Sequence, residues 1–233
     1  MGKIIALGGG SFSNGEMDNV TEHIISLTGK KTPFILIIPT ASFDDMDEND
    51  DVKLSFERFG CTTDILFLTH EDVTQEVIKN KISSADGVFV QGGNLKFLMD
   101  TWKNTGTDKY LLEAYNKGTV LSGVSSGAMC WFKEGYDDCI DGQFIFVECL
   151  GIIPYINCPH YQSDYWQTFE EALAITKKRT SGIACDNGAG FCLNDGEYYT
   201  VAGNEGGDCY FYDANDNYRK TNINRNADLL KTL

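Results

Sequence analysis

The chain has 233 residues, 42% of them hydrophobic, which is enough for one α/β domain with a well-buried core. Nineteen Lys and Arg against 34 Asp and Glu give a formal charge of −15. That balance repels phosphate backbones and anionic membrane surfaces, so neither nucleic acid nor a membrane is an expected partner.

Lys3 to Leu7 reads as a first strand, ending in Gly8-Gly9-Gly10-Ser11. A helix is expected from about Met17, with Asp18 as its cap and Val20, Ile24, Ile25 and Leu27 on its buried side. Phe34 to Ile38 is the next strand and stops at Pro39, which cannot donate to a ladder. Asp51 to Phe59 has a helical pattern, Thr63 to Leu68 reads as a strand and Gln75 to Ile82 as a helix. Gly87 to Val90 is a short apolar strand running into Gln91-Gly92-Gly93-Asn94, followed by the helical Leu95 to Met99. Such turns, at the carboxyl ends of strands, are where open α/β sheets place their sites. A helix from about Asp108 to Tyr115 leads to a further strand at Val120. From Gly190 to about Tyr218 short strands alternate with turns at Asn194-Asp195-Gly196, Gly206-Gly207 and Asp213 to Asn217, a β-hairpin region. This order predicts an α/β fold with a largely parallel sheet, helices on both faces, a C-terminal β-hairpin region, and residues 1–233 as a single domain.

The eight cysteines are scattered without a C-x-x-C pair, and the apolar run after Met1 is too short for a signal peptide. They read as reduced, buried small hydrophobes of a cytoplasmic protein rather than as a disulfide framework. Gly8-Gly9-Gly10 is neither a P-loop nor a full dinucleotide fingerprint, so no metal or nucleotide cofactor is expected. A homo-oligomer is compatible with the sequence, which does not specify one.

The most informative stretch is Val120 to Met129, a buried strand entering Gly123-Val124-Ser125-Ser126-Gly127 and then a helix. G-x-S-x-G at a strand-to-helix turn is a nucleophile elbow, in which small residues two positions either side of the serine let the turn pack. The register favours Ser125, because Ser126 lacks the symmetric flanking. The N–H of Ser126, at the helix start, would then favour a developing oxyanion. A serine hydroxyl needs a base, and the chain has three histidines. His23 lies on the first amphipathic helix and His70 in Leu68-Thr69-His70-Glu71, both read as structural. His160, in Asn157-Cys158-Pro159-His160-Tyr161 after the apolar Leu150 to Ile156, is the candidate base.

Val90-Gln91-Gly92-Gly93-Asn94, Gly123-Val124-Ser125-Ser126-Gly127-Ala128 and Cys158-Pro159-His160-Tyr161, in that order, resemble the dipeptidase E family of serine peptidases, whose known activities are alpha-aspartyl dipeptidase and cyanophycinase. The resemblance spans roughly residues 1 to 200. It implies a fold related to class I glutamine amidotransferases, Ser125 as nucleophile, His160 as base and an oxyanion hole from the N–H groups of Gly93 and Ser126. It also implies Asp138, in Gly135 to Cys139, as the acid of the triad. Asp186, beside Asn187, is the reserve, near the position of a glutamate in cyanophycinases.

Two departures from the family pattern are visible. Ser126 stands where the family usually has alanine. Aspartyl dipeptidases take an arginine from the stretch after the histidine, whereas no arginine or lysine occurs between His160 and Thr176, and basic residues return only at Lys177, Lys178 and Arg179. Without a buried cation, a preference for an N-terminal aspartate is not expected, and the pocket suits an uncharged or cationic residue. The leading expectation is therefore a serine hydrolase acting on the amide bond of a dipeptide or small peptide-like substrate. The alternative is a non-catalytic relative that binds a small ligand or partner in the same cleft. An ordinary α/β-hydrolase is disfavoured, since its histidine comes late in the domain and none follows His160.

Overall fold

A computed structural model describes residues 2–45, 50–176, 180–224, 230, 231 and 233. Its architecture follows from strands that are apolar on both faces. In β1 (Lys3–Leu7), Ile4 and Ala6 join one buried cluster while Ile5 and Leu7 join another. The same alternation divides β2 (Phe34–Ile38), with Leu36 and Ile38 on one side and Ile35 and Ile37 on the other. A strand of this kind is stable only with cover on both faces. One face is covered by Val20 and Ile24 of α1 (Asp18–Leu27) and Val52 and Phe56 of α2 (Asp50–Arg58). The chain then forms β3 (Thr62–Ile65), α3 (Gln75–Ser84), β4 (Gly87–Val90), α4 (Leu95–Thr105), α5 (Thr107–Lys117) and β5 (Val120–Val124). Ile78 and Ile82 of α3, Leu98 and Trp102 of α4 and Leu111 of α5 cover the opposite face.

Beyond β5 follow α6 (Ser126–Met129), β6 (Phe132–Ile140), β7 (Gln143–Glu148), β8 (Ile153–Cys158), α7 (Thr168–Thr176), β9 (Gly182–Cys185), β10 (Ala189–Asn194), β11 (Glu197–Ala202), β12 (Cys209–Asp213) and β13 (Arg219–Asn222). Among the described residues there are two sheets, of order β11-β10-β1-β5-β4-β2-β3 and β13-β12-β9-β8-β6-β7. Pairing is parallel from β1 through β5, β4 and β2 to β3, while β10 pairs antiparallel to β1 and β11, antiparallel to β10, forms that edge of the first sheet. One buried cluster runs from Leu121 and Phe191 of the first sheet to Phe132, Ile153, Ile183 and Phe211 of the second, and so joins them.

The expected strands β1, β2, β4 and β5 and their helices stand where the pattern placed them. The turn Asn194-Asp195-Gly196 makes the β10–β11 hairpin, with Asp195 and Gly196 at positive φ between the paired Asn194 and Glu197. Three details differ. Asp18 does not cap α1: Met17 occupies the cap position without a side-chain bond, and the Asp18 carboxylate pairs instead with Arg58. Ile25 and Leu27 are only half-buried, and β3 ends at Ile65 rather than Leu68. The C-terminal hairpins are split between the sheets, and the second sheet itself is an addition to the single sheet expected. No helix of the described residues is long and apolar enough to cross a membrane.

Candidate active site

The carboxyl ends of β1, β4 and β5 meet those of β8 and β9, and the site is built where they meet. Ser125 follows β5 at φ 56° and ψ −120°, a conformation costly for a residue with a Cβ. It is held there by its own N–H, which donates to the Leu7 carbonyl at 3.0 Å, and by its carbonyl, which accepts from Ala128 and Met129 at 2.9 and 3.0 Å. A Cβ on Gly123 would strike the Gly127 carbonyl, and one on Gly127 the Val90 carbonyl. The glycine spacing read from the sequence is thus a packing requirement of the elbow.

The turn after β4 lies against the same serine, since a Cβ at Gly92 would stand 3.0 Å from Ser125 Cβ. It is tied down on several sides. Asn94 caps α4, its Oδ1 accepting from Phe97 N–H at 2.8 Å, while its N–H donates to Ala41 O at 2.7 Å and its Nδ2 to Cys139 O at 2.9 Å. Asp137 accepts the Leu95 N–H at 3.0 Å, and Ser126 Oγ donates to Gly93 O at 2.6 Å. Among the described residues no protein acceptor takes the N–H of Gly93 or of Ser126, so both donors expected of an oxyanion hole remain available. Asp137 is 2% exposed, and burial pushes its carboxyl up to about 6 against the lowering effect of the Leu95 bond.

His160 follows β8 at a φ of 51°, its N–H donating to Gly8 O at 2.9 Å. Its Nε2 lies 2.9 Å from Ser125 Oγ, and its Nδ1 lies 2.6 Å from Asn187 Oδ1. An amide oxygen only accepts, so Nδ1 carries the proton and Nε2 turns a lone pair to the serine hydroxyl, the tautomer a general base needs. Asn187 is placed by its own N–H, which donates to Gln162 Oε1 at 2.8 Å. A Cβ at Gly9 would collide with both Asn187 Oδ1 and His160 Nδ1, which explains a small residue after β1. Burial lowers the imidazole's pKa below its ordinary value, opposed by the Asn187 bond and by the charge of Asp138. The loop is anchored from behind, where Tyr161 and Tyr212 donate to Glu170 at 2.5 and 2.7 Å and Lys220 donates to Tyr161 at 2.7 Å.

Neither carboxylate expected beside His160 is hydrogen-bonded to it. Asp138, on β6, accepts from the Tyr165 hydroxyl at 2.8 Å. Asp186 accepts from the Asp208 N–H at 3.2 Å and, weakly, from Tyr210 at 3.4 Å, and burial raises its pKa. The other histidines are tied up elsewhere, His23 against the Tyr199 hydroxyl at 2.8 Å and His70 stacked on Phe67. Lys177, Lys178 and Arg179 lie outside the described residues. Among the described residues no group of His, Cys, Asp and Glu is arranged to hold a metal ion. Sequence reasoning named Asn187 only as the neighbour of Asp186, and it missed Gln162 altogether. The signal was the glycine run Gly8-Gly9-Gly10, which implies that some group approaches closely.

The model of peptidase family S51 matches residues 4–201. An uncharacterized peptidase of Bacillus subtilis (strain 168), YgaJ, is 33% identical over 215 residues, which cover 90% of this chain and 91% of the relative. An uncharacterized peptidase of Listeria innocua, Lin0382, is 30% identical over 61% of this chain and 70% of its own. Two solved structures share the fold. A peptidase from an acI-B1 Actinobacterium superposes with a TM-score of 0.75 at 19% identity, covering 95% of this chain and 93% of its own. A putative peptidase E protein from Listeria monocytogenes EGD-e gives 0.69 at 20% identity, covering 87% of this chain and 98% of its own. The family match begins in β1 and ends in β11, and so takes in the elbow, the β4 turn and the His160 loop alike: the chain belongs to peptidase family S51.

Proposed function

We propose that the chain is a serine peptidase that hydrolyses the amide bond of a dipeptide or small peptide-like substrate. The observation that carries this reading is the 2.9 Å approach of His160 Nε2 to the hydroxyl of a serine held on a strained elbow. His160 takes the Ser125 proton as Oγ attacks the scissile carbonyl, and the N–H groups of Gly93 and Ser126 hold the resulting oxyanion. The imidazolium then protonates the leaving amine, and a water, deprotonated by the same imidazole, releases the acyl group. In this proposal the role expected of Asp138 falls to Asn187, which fixes the imidazole's tautomer and orientation without supplying a formal charge. The anchored β4 turn supports the oxyanion assignment, because a donor contributes most when it is positioned before charge develops.

The test is a dipeptide library varied at both positions, together with labelling by an active-serine phosphonate, on the protein and on Ser125→Ala. Turnover and labelling should both vanish in the variant. Ligand binding without turnover or labelling in the unaltered protein would turn the reading to a binding module.

A further inference from the structure

The carboxylate of Asp138, left unused by the base, stands at the end of an aromatic wall that begins at the imidazole. The Trp166 ring lies 5.4 Å from that of His160, and Tyr165 packs edge-on to Trp166 at 6.3 Å. Phe144 backs both, 4.8 Å from Tyr165 and 5.0 Å from Trp166, and is itself stacked on Tyr136 at 4.6 Å. Tyr165 is 50% exposed, and its hydroxyl holds Asp138 at 2.8 Å. Among the described residues no Lys or Arg forms an ion pair with Asp138.

We propose that Asp138, Tyr165 and Trp166 form the pocket for the substrate residue that supplies the scissile carbonyl, and that the pocket selects a cationic side chain, lysine or arginine. This rests on the serine peptidase reading of the same site. Exposed aromatic faces accommodate the methylene stem of a long cationic side chain and attract its charge, and a carboxylate at their far end completes the match. The rings of Trp166 and Tyr165 link the imidazole to Asp138, so a methylene stem lying along them would bring a terminal charge to the carboxylate, whereas an α-ammonium stays on the Cα next to the scissile carbonyl. The stretch after His160, which carries Tyr165 and Trp166 but no cation up to Thr176, would repel nothing in that ligand and offers an aspartate side chain no partner.

The experiment compares kcat/KM for Lys-Ala, the neutral near-isostere norleucyl-Ala and Asp-Ala. The protein should favour Lys-Ala over norleucyl-Ala by about tenfold, the scale of a partly exposed carboxylate and cation–π contact. In Asp138→Asn that ratio should fall close to one, and Asp138→Lys should invert the order of Lys-Ala and Asp-Ala. No preference for Lys-Ala in the unaltered protein, or an unchanged ratio in Asp138→Asn because both substrates lose equally, would overturn the proposal. A binding arm uses Ser125→Ala, in which Lys-Ala should perturb tryptophan fluorescence at concentrations where Asp-Ala does not. Trp102 and Trp131 are fully buried, so the change reports Trp166, and Trp166→Phe should abolish it. If the serine peptidase reading fails, the hydrolysis arm is silent, whereas fluorescence still decides the pocket: equal responses to Lys-Ala and Asp-Ala would refute it.

Discussion

Replacing Asn187 with aspartate puts a charge where the imidazole now meets an amide oxygen at 2.6 Å, and its effect is calculable. With charge centres about 4 Å apart, attraction to the imidazolium is roughly 1 kcal/mol in water and roughly 4 kcal/mol at an effective dielectric of about 20. Asn187 is solvent-exposed, which favours the lower end and gives a rise in the His160 pKa of about one unit. In the unaltered protein burial keeps that pKa below the ordinary histidine value, so activity should rise with pH through a limb below about 6.5. Because activity needs the neutral imidazole, Asn187→Asp should move this limb up by about one pH unit. The same attraction, acting on the imidazolium formed as serine attacks, should raise plateau kcat/KM by roughly tenfold or less. Asn187→Ala removes the orienting oxygen and should cost about ten- to a hundredfold. The assay is kcat/KM between pH 4.5 and 9 on one good substrate for all three proteins. An unmoved limb in Asn187→Asp together with an undiminished rate in Asn187→Ala would refute the assignment of Asn187 to the base.

The remaining expectations concern the other named groups. Ser125→Ala should lower kcat/KM by on the order of 10⁴-fold while far-ultraviolet circular dichroism stays unchanged, and a surviving rate would move the nucleophile elsewhere. Ser126→Ala removes one hydrogen bond to the β4 turn, worth about 1 kcal/mol, so a loss of roughly fivefold is expected; abolished phosphonate labelling would instead make Ser126 the nucleophile. His160→Ala should abolish both activity and its acidic limb. Asp137 titrates at about 6 when folded against 3.8 in its unperturbed state, so the stability it contributes is full below about pH 4 and is lost as pH rises through 6. Asp137→Asn keeps an oxygen for the Leu95 N–H but does not ionise, and its Tm relative to the unaltered protein should therefore be higher at pH 8 than at pH 4. A Tm difference independent of pH would show that Asp137 is not held in a desolvated state.

The strands β1, β2, β4 and β5 were legible because burial on both faces demands uninterrupted apolar runs, and such runs bounded by glycine or proline have few other readings. The hairpin β6–β7 was not. Lys133, Glu134, Asp137 and Asp138 interrupt its pattern, and two of those carboxylates accept from groups outside the sheet, Asp137 from the Leu95 N–H and Asp138 from the Tyr165 hydroxyl. Ser125 and His160 were legible for a different reason: a strained elbow and a proline-stiffened loop leave local marks in the chain. Asn187 left none, because its role arises when β9 brings it beside Gly9 and His160, three segments far apart in sequence.

The imidazole's immediate need is an acceptor at Nδ1 rather than a charge, and an amide oxygen meets that need as a carboxylate does. If His160 is the base, as proposed, a neutral acceptor also keeps it usable. The field of Asp138 and the bond to Asn187 both raise the imidazole's pKa, and burial must outweigh them to leave it unprotonated near neutrality. A second carboxylate at Nδ1 would add to the side that burial has to overcome. On the proposed reading, a cleft that offers a carboxylate to a cationic substrate preserves a neutral base by orienting it with an uncharged partner, and Asn187 would satisfy both conditions at one position.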